Sequence, residues 1–241
     1  MTTSVTRADE SRPTASAQLW SWRRAQALSG LLLAGFVGVH LINLPLAAFP
    51  GAYDAYQRVL RALYQSPFFE IPFVVTPLVV HIVAGVRAIA RRDRAAPATW
   101  PARLHRYSAW YLLFVIAGHV LATRGASLFY GIYPEALGVA FALEWIPVFF
   151  WPYYLLLGLS GVAHLGYGLL RAVAVMRKSA DRSASSKPLA LGLALAALLV
   201  VLGVVGLSGA LYPIDDPFGS DYAGIYREMD SPFVPDVPAA R

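Results

Sequence analysis

The chain has 241 residues, 57% of them hydrophobic and only 14% charged, a balance that excludes an ordinary soluble domain of this size and points to the membrane class. The formal charge of +6 is read as the basic bias of membrane-flanking loops, and nucleic acid is set aside as a partner. The absence of cysteine excludes disulfides, covalently attached haem and cysteine-held iron–sulfur clusters within the chain.

Residues 1–26 are polar, contain Arg7, Arg12, Arg23 and Arg24, and lack the pattern of a cleaved signal peptide. Five apolar stretches follow, each long enough to cross a bilayer at about 20 residues and about 1.5 Å of rise per residue. They run roughly Ala27 to Phe49, Phe68 to Ala90, Leu104 to Thr123, Trp145 to Val175 and Pro188 to Leu211. The predicted fold is therefore all-α, an integral membrane bundle of five transmembrane helices over residues 27–211. The fourth stretch exceeds one bilayer thickness and is expected to tilt or to project into water. The fifth carries no ionisable residue.

Fifteen of the twenty Lys and Arg fall in the N-terminal segment and in the connections after spans two and four; five fall on the other side. This bias predicts a cytoplasmic N-terminus and, across an odd number of spans, an external C-terminus. In residues 50–66, Tyr53, Tyr56, Val59, Leu60 and Leu63 stand near helical spacing, which predicts a short helix in the outer interface. Residues 125–144, with Tyr130, Tyr133 and Pro134, are expected to form a second outer cap. The tail 212–241 is rich in Pro and Asp and is expected to be extended or disordered.

Each of the first four spans contains one histidine: His40, His81, His119 and His164. Imidazole is costly in lipid unless it is paired, ligating or facing a cavity. His40 lies ten residues before Pro50 and His119 five before Arg124, which puts both in the outer half. His81 and His164 lie six and seven residues before Arg87 and Arg171, roughly 10 Å from the inner boundary. The set sorts into an outer pair, His40 with His119, and an inner pair, His81 with His164. Each pair can hold one haem iron from opposite faces, and a haem with both axial positions filled suits electron transfer. Gly35 and Gly38 before His40, Gly85 after His81, Gly118 beside His119 and Gly161 and Gly168 around His164 leave room for a flat macrocycle, although small residues also serve plain helix packing. His105, in LHRYS at the inner boundary, is expected to face the interface or a partner. Pro77, four residues before His81, is expected to kink the second span, as a membrane proline can also do without special purpose.

These residues resemble those of a known family. Five spans, no cysteine, and SGLLLAGFVGVHLINL, HRYSAWYLLFVIAGHV and GVAHLGYG around the histidines look like the single di-haem cytochrome b anchor of succinate dehydrogenases and fumarate reductases. The likeness covers roughly residues 22–211. It implies two b-type haems, the inner one on the second and fourth helices and the outer one on the first and third. It also implies an iron–sulfur subunit and a flavoprotein on the cytoplasmic face of a bacterial inner membrane, and exchange of electrons with a quinone, commonly menaquinone. Higher oligomers of such a complex are compatible with it. Some fumarate reductases carry a glutamate two residues before the ligand in span four for transmembrane proton movement; here that position is Val162, so that path is not carried over.

A quinone near the outer haem needs a proton-exchanging group, and a boundary carboxylate suits that role. Glu70 opens span two and Glu144 opens span four on the outer side. The family's use of a glutamate near the outer haem favours Glu70; the alternative for both is an acid stabilised by a helix dipole, preferred for Glu144. Arg124 is a candidate for an outer haem propionate, and Arg24, Arg106 and Arg171 for an inner one; boundary arginines also simply snorkel. Two other readings stay open. One is a cytochrome b serving a hydrogenase or formate dehydrogenase; the other is a haem-free anchor or a transporter whose histidines handle protons.

Overall fold

A computed structural model describes residues 15–90, 99–177 and 187–229. The described residues are helical, and five helices are long and apolar enough to cross a membrane: Ser21–Leu46, Pro67–Ala90, Trp100–Tyr130, Pro147–Met176 and Lys187–Leu207. Four of them have a proline in the first turn, at Pro67, Pro101, Pro147 and Pro188, where the missing N–H has no helical acceptor to lose. Of the sequence-assigned basic residues, Arg7, Arg12, Arg91, Arg92, Arg94, Lys178, Arg182 and Arg241 lie outside the described residues.

Span one packs against spans two, four and five, and span four packs against spans three and five. The first four spans thus form a ring in the order two, one, four, three, and span five fills the groove between one and four. Spans two and three, which would close the ring, make at most marginal backbone contact. Span five needs close approach. A Cβ at Gly203 or Gly206 would overlap the backbone carbonyls of Leu44 and Ala47, so only glycine admits span one at this distance.

One end of the bundle is capped. The helix Ala52–Tyr64 follows span one and the helix Glu135–Trp145 precedes span four. They are joined by an Arg61–Glu135 ion pair at 2.7 Å and by the Asp54 carboxylate, which accepts from the Ala136 N–H at 2.8 Å. Burial pushes the Asp54 carboxyl above its usual range, partly offset by that hydrogen bond. Phe141 and Leu143, both in the second of these helices, are fully buried.

Several boundaries differ from the sequence prediction. The first helix begins at Ala15 and runs unbroken through Gln26, so the polar N-terminal segment is not a separate unit from that point. Span three continues seven residues beyond Thr123, because Arg124 is paired within the protein and does not mark a water boundary. Glu144 does not open span four. It is exposed in the last turn of the cap helix, and the break falls at Ile146 (φ −133°, ψ 75°), the residue that Pro147 forces out of helical conformation. Pro77 is relieved by a π turn at Ile71–Val75, which widens the helix where the ring would otherwise meet the Phe73 carbonyl. The tail is folded as far as residue 229. Ser220 caps the helix Asp221–Glu228, and Tyr222, Ala223 and Ile225 are buried against Phe141 and Ala126. Its proline and aspartate content obscured this short apolar face; residues 230–241 lie outside the described residues.

Gly206→Val is expected to cost more than about 3 kcal/mol, because backbone, not a movable side chain, stands in the way. Gly192→Val, with open space around it, is expected to stay within about 0.5 kcal/mol. Thermal unfolding in detergent, read side by side, checks the contrast.

Candidate functional site

The ring of four spans brings the histidines together across its diagonals. Toward the capped end, His40 of span one faces His119 of span three with ring centres 6.2 Å apart and planes at 69°. Toward the other end, His81 of span two faces His164 of span four at 6.0 Å and 89°. Neither pair joins helices that pack closely on each other, so each lies across the middle of the bundle.

These distances allow a test against an iron between two imidazoles. Nitrogen–metal bonds of about 2 Å on each side separate the ring centres by about 6 Å, which matches both pairs. The buried Nδ1 atoms of His40 and His164 have no hydrogen-bond partner among the described residues. A Cβ at Gly35, Gly38 or Gly118 would meet nothing within 4 Å, so the helices carrying His40 and His119 have open space beside them. Each tier brings two imidazoles together; an iron held there would need its remaining ligands from elsewhere, as a planar tetrapyrrole would supply them.

His81 is the most firmly oriented of the four. Its Nδ1 lies 3.0 Å from the Gln26 carbonyl and 3.4 Å from the Ser29 hydroxyl. A carbonyl only accepts, so Nδ1 carries the proton and Nε2 presents its lone pair, the arrangement that orients metal-bound histidines. Gly30 makes this possible: a Cβ there would sit 2.9 Å from the His81 ring. At the other tier, Phe36 stacks on His40 at 5.7 Å, and Tyr64 meets Phe36 edge-on at 5.1 Å. Burial holds the Tyr64 phenol above its usual range. Three residues from His40, Asn43 is buried, and neither amide atom has a partner among the described residues.

His105 does not face the interface as expected. It stacks on His164 with ring centres 4.4 Å apart and planes at 11°, above Gly168, where a Cβ would come within 3.2 Å. The helix starts at Trp100, so His105 sits more than a turn inside it. A signal was present in the sequence. His105 and His119 are fourteen residues apart, close to four full turns, so they share a face and lie about 21 Å apart along the span.

Glu70 and Arg124 are brought together. The Arg124 guanidinium donates through Nε and one terminal nitrogen to the two Glu70 carboxylate oxygens at 2.6 and 2.7 Å, and through the other to the Ser127 hydroxyl at 2.9 Å. Arg124, expected at a propionate, is thus engaged by a carboxylate, as neither residue type announces over a separation of 54 residues. Glu70 directly precedes the π turn of span two, and Arg124 lies within a second π turn, Leu121–Gly125. The Tyr222 hydroxyl, from the C-terminal helix, donates to the Ala122 carbonyl of that turn at 3.1 Å. Of the remaining arginines, Arg24 is exposed, while Arg106 and Arg171 are half-buried; all three stand toward the uncapped end.

No family model matches the chain, and no curated protein or solved structure matches it either.

In 15N-histidine-labelled protein prepared without haem, one imidazole is expected in the Nδ1–H form, disappearing in His81→Ala and shifting in Gly30→Val. An unchanged spectrum in Gly30→Val would show that this glycine does not set the ring.

Proposed function

We propose that the chain is the di-haem cytochrome b anchor of a succinate:quinone oxidoreductase. The observation that carries the reading is the pair of histidine pairs, one ligand from each of four spans, each pair separated across the bundle by the length of an imidazole–iron–imidazole unit. His40 and His119 would hold one haem, and His81 and His164 the other. Bound there, the haems supply one-electron transfer between the two ends of the bundle.

The chain's own residues do the rest. The Gln26 carbonyl keeps His81 in the ligating tautomer. Two imidazoles on each haem would leave no place for oxygen and suit it to electron transfer. In this reading the uncapped end faces the cytoplasm of a bacterial inner membrane, following the excess of Lys and Arg in its connections. An iron–sulfur subunit docks there and a flavoprotein interconverts succinate and fumarate. Arg24, Arg106 and Arg171, toward that end, would pair with propionates of the inner haem. At the external, capped end, Glu70 exchanges protons with a quinone, taken as menaquinone. Its carboxylate is 15% exposed, within reach of both the protein interior and the boundary. Val162 leaves no carboxylate at the position used for a transmembrane proton path in some relatives of this type.

Protein reduced with dithionite is expected to show b-type bands, with about two haems per chain by pyridine hemochrome, matching two axial pairs. His40→Ala and His119→Ala should abolish one spectral species, and His81→Ala and His164→Ala the other. A correctly assembled protein without haem, or one species lost in all four variants, would sink the reading.

A further inference from the structure

Spans two and three complete the ring of four helices, yet they make at most marginal backbone contact. Glu70 and Arg124 bridge them with a two-pronged, charge-assisted clasp. The clasp lies toward the capped end, where Tyr64 and Phe36 lead from its neighbourhood to His40. The Glu70 and Arg124 side chains are 15% and 20% exposed, so the clasp reaches the protein surface and is not part of a sealed core. Both partners sit at π turns, irregularities that recur at functional sites.

We propose that this ion pair gates a lateral opening between spans two and three, and that a membrane quinone enters there from the lipid. This rests on the quinone reading given above. A 1,4-quinone offers two carbonyl acceptors and no donor, so its headgroup needs a donor at the lipid edge. When the pair parts, the Arg124 guanidinium passes from Glu70 to a quinone carbonyl oxygen, and the Glu70 carboxyl becomes free to exchange protons. Reduction to the quinol takes two electrons, delivered one at a time from the iron–sulfur partner through the bundle. It also takes two protons, entering from the external side through Glu70. Arg124 is thereby a substrate-binding residue as well as half of the gate. The same guanidinium could hold an anionic lipid phosphate, which the test separates.

The chain has no cysteine, so cysteines placed at Phe68 and Leu128, both exposed beside the clasp, are the only sites for spin labels. A narrow distance distribution is expected with the pair intact, and a longer, broader one in Glu70→Gln and in Arg124→Gln. Binding of a soluble 1,4-naphthoquinone, followed by tryptophan quenching, is expected to weaken at least about tenfold in Arg124→Gln but to change less than about threefold in Glu70→Gln. The exchanged pair, Glu70→Arg with Arg124→Glu, is expected to restore the narrow distance without restoring affinity. Unchanged haem spectra verify that each variant is folded. Restored affinity in the exchanged pair would make the clasp purely structural and overturn the proposal. Unchanged affinity in Arg124→Gln, an unaltered distance, or displacement of the naphthoquinone by phosphatidylglycerol vesicles would also overturn it. In each of those cases the unsubstituted protein still binds haem and naphthoquinone. A protein that binds neither overturns the underlying function as well.

Discussion

Two pairs of imidazoles, each held about 6 Å apart across a diagonal of the four-helix ring, impose the organisation of this bundle. A polar ring in a membrane interior has to be satisfied, and water is not there to do it. Helices that met along the diagonals would crush the pairs together. Helices that packed on all four sides would leave no open edge. The observed compromise packs three sides of the ring, fills one groove with span five, and leaves the side between spans two and three loosely joined.

The tight contacts are concentrated away from that side. Gly203 and Gly206 bring span five against the backbone of span one, and Gly158 receives Val200 of span five on the face of span four. Small residues let van der Waals packing, the main attraction between helices in lipid, act over short distances. The loosely joined side carries an Arg–Glu pair instead, with a π turn beside Glu70 and another around Arg124. A π turn frees a backbone carbonyl, and at Ala122 that carbonyl is taken by Tyr222 of the C-terminal helix. The tail therefore belongs to the same network as the clasp, although nearly a hundred residues separate them in the chain.

The two tiers are not equivalent. Around His81 and His164, a carbonyl, a hydroxyl and a third imidazole converge, and glycines at 30 and 168 are cut to admit the rings. Around His40 and His119 the neighbours are aromatic and the adjoining glycines face open space. The first environment fixes ring orientation; the second leaves room beside it. Under the proposed function these differences fall on the electron-entry and quinone-facing tiers respectively.

Much of this was written in the linear sequence, for a simple reason. Hydrocarbon forbids unsatisfied backbone and penalises charge, so five long apolar stretches can be little other than helices. The regular rise of a helix then converts the positions of His40, His81, His119 and His164 into two depths. What lay beyond reach depends on contacts between distant segments. Arg124 reads as a membrane boundary until Glu70 neutralises it 54 residues away. His105 reads as an interfacial residue until the helix is seen to start at Trp100 and Gly168 to make room for its ring. The tail reads as extended because its apolar face is only one turn wide and finds its partners, Phe141 and Ala126, in two other elements. Periodicity along one helix determines depth and face. Which faces meet, and which polar groups thereby lose their need for water, is decided only when the helices are assembled.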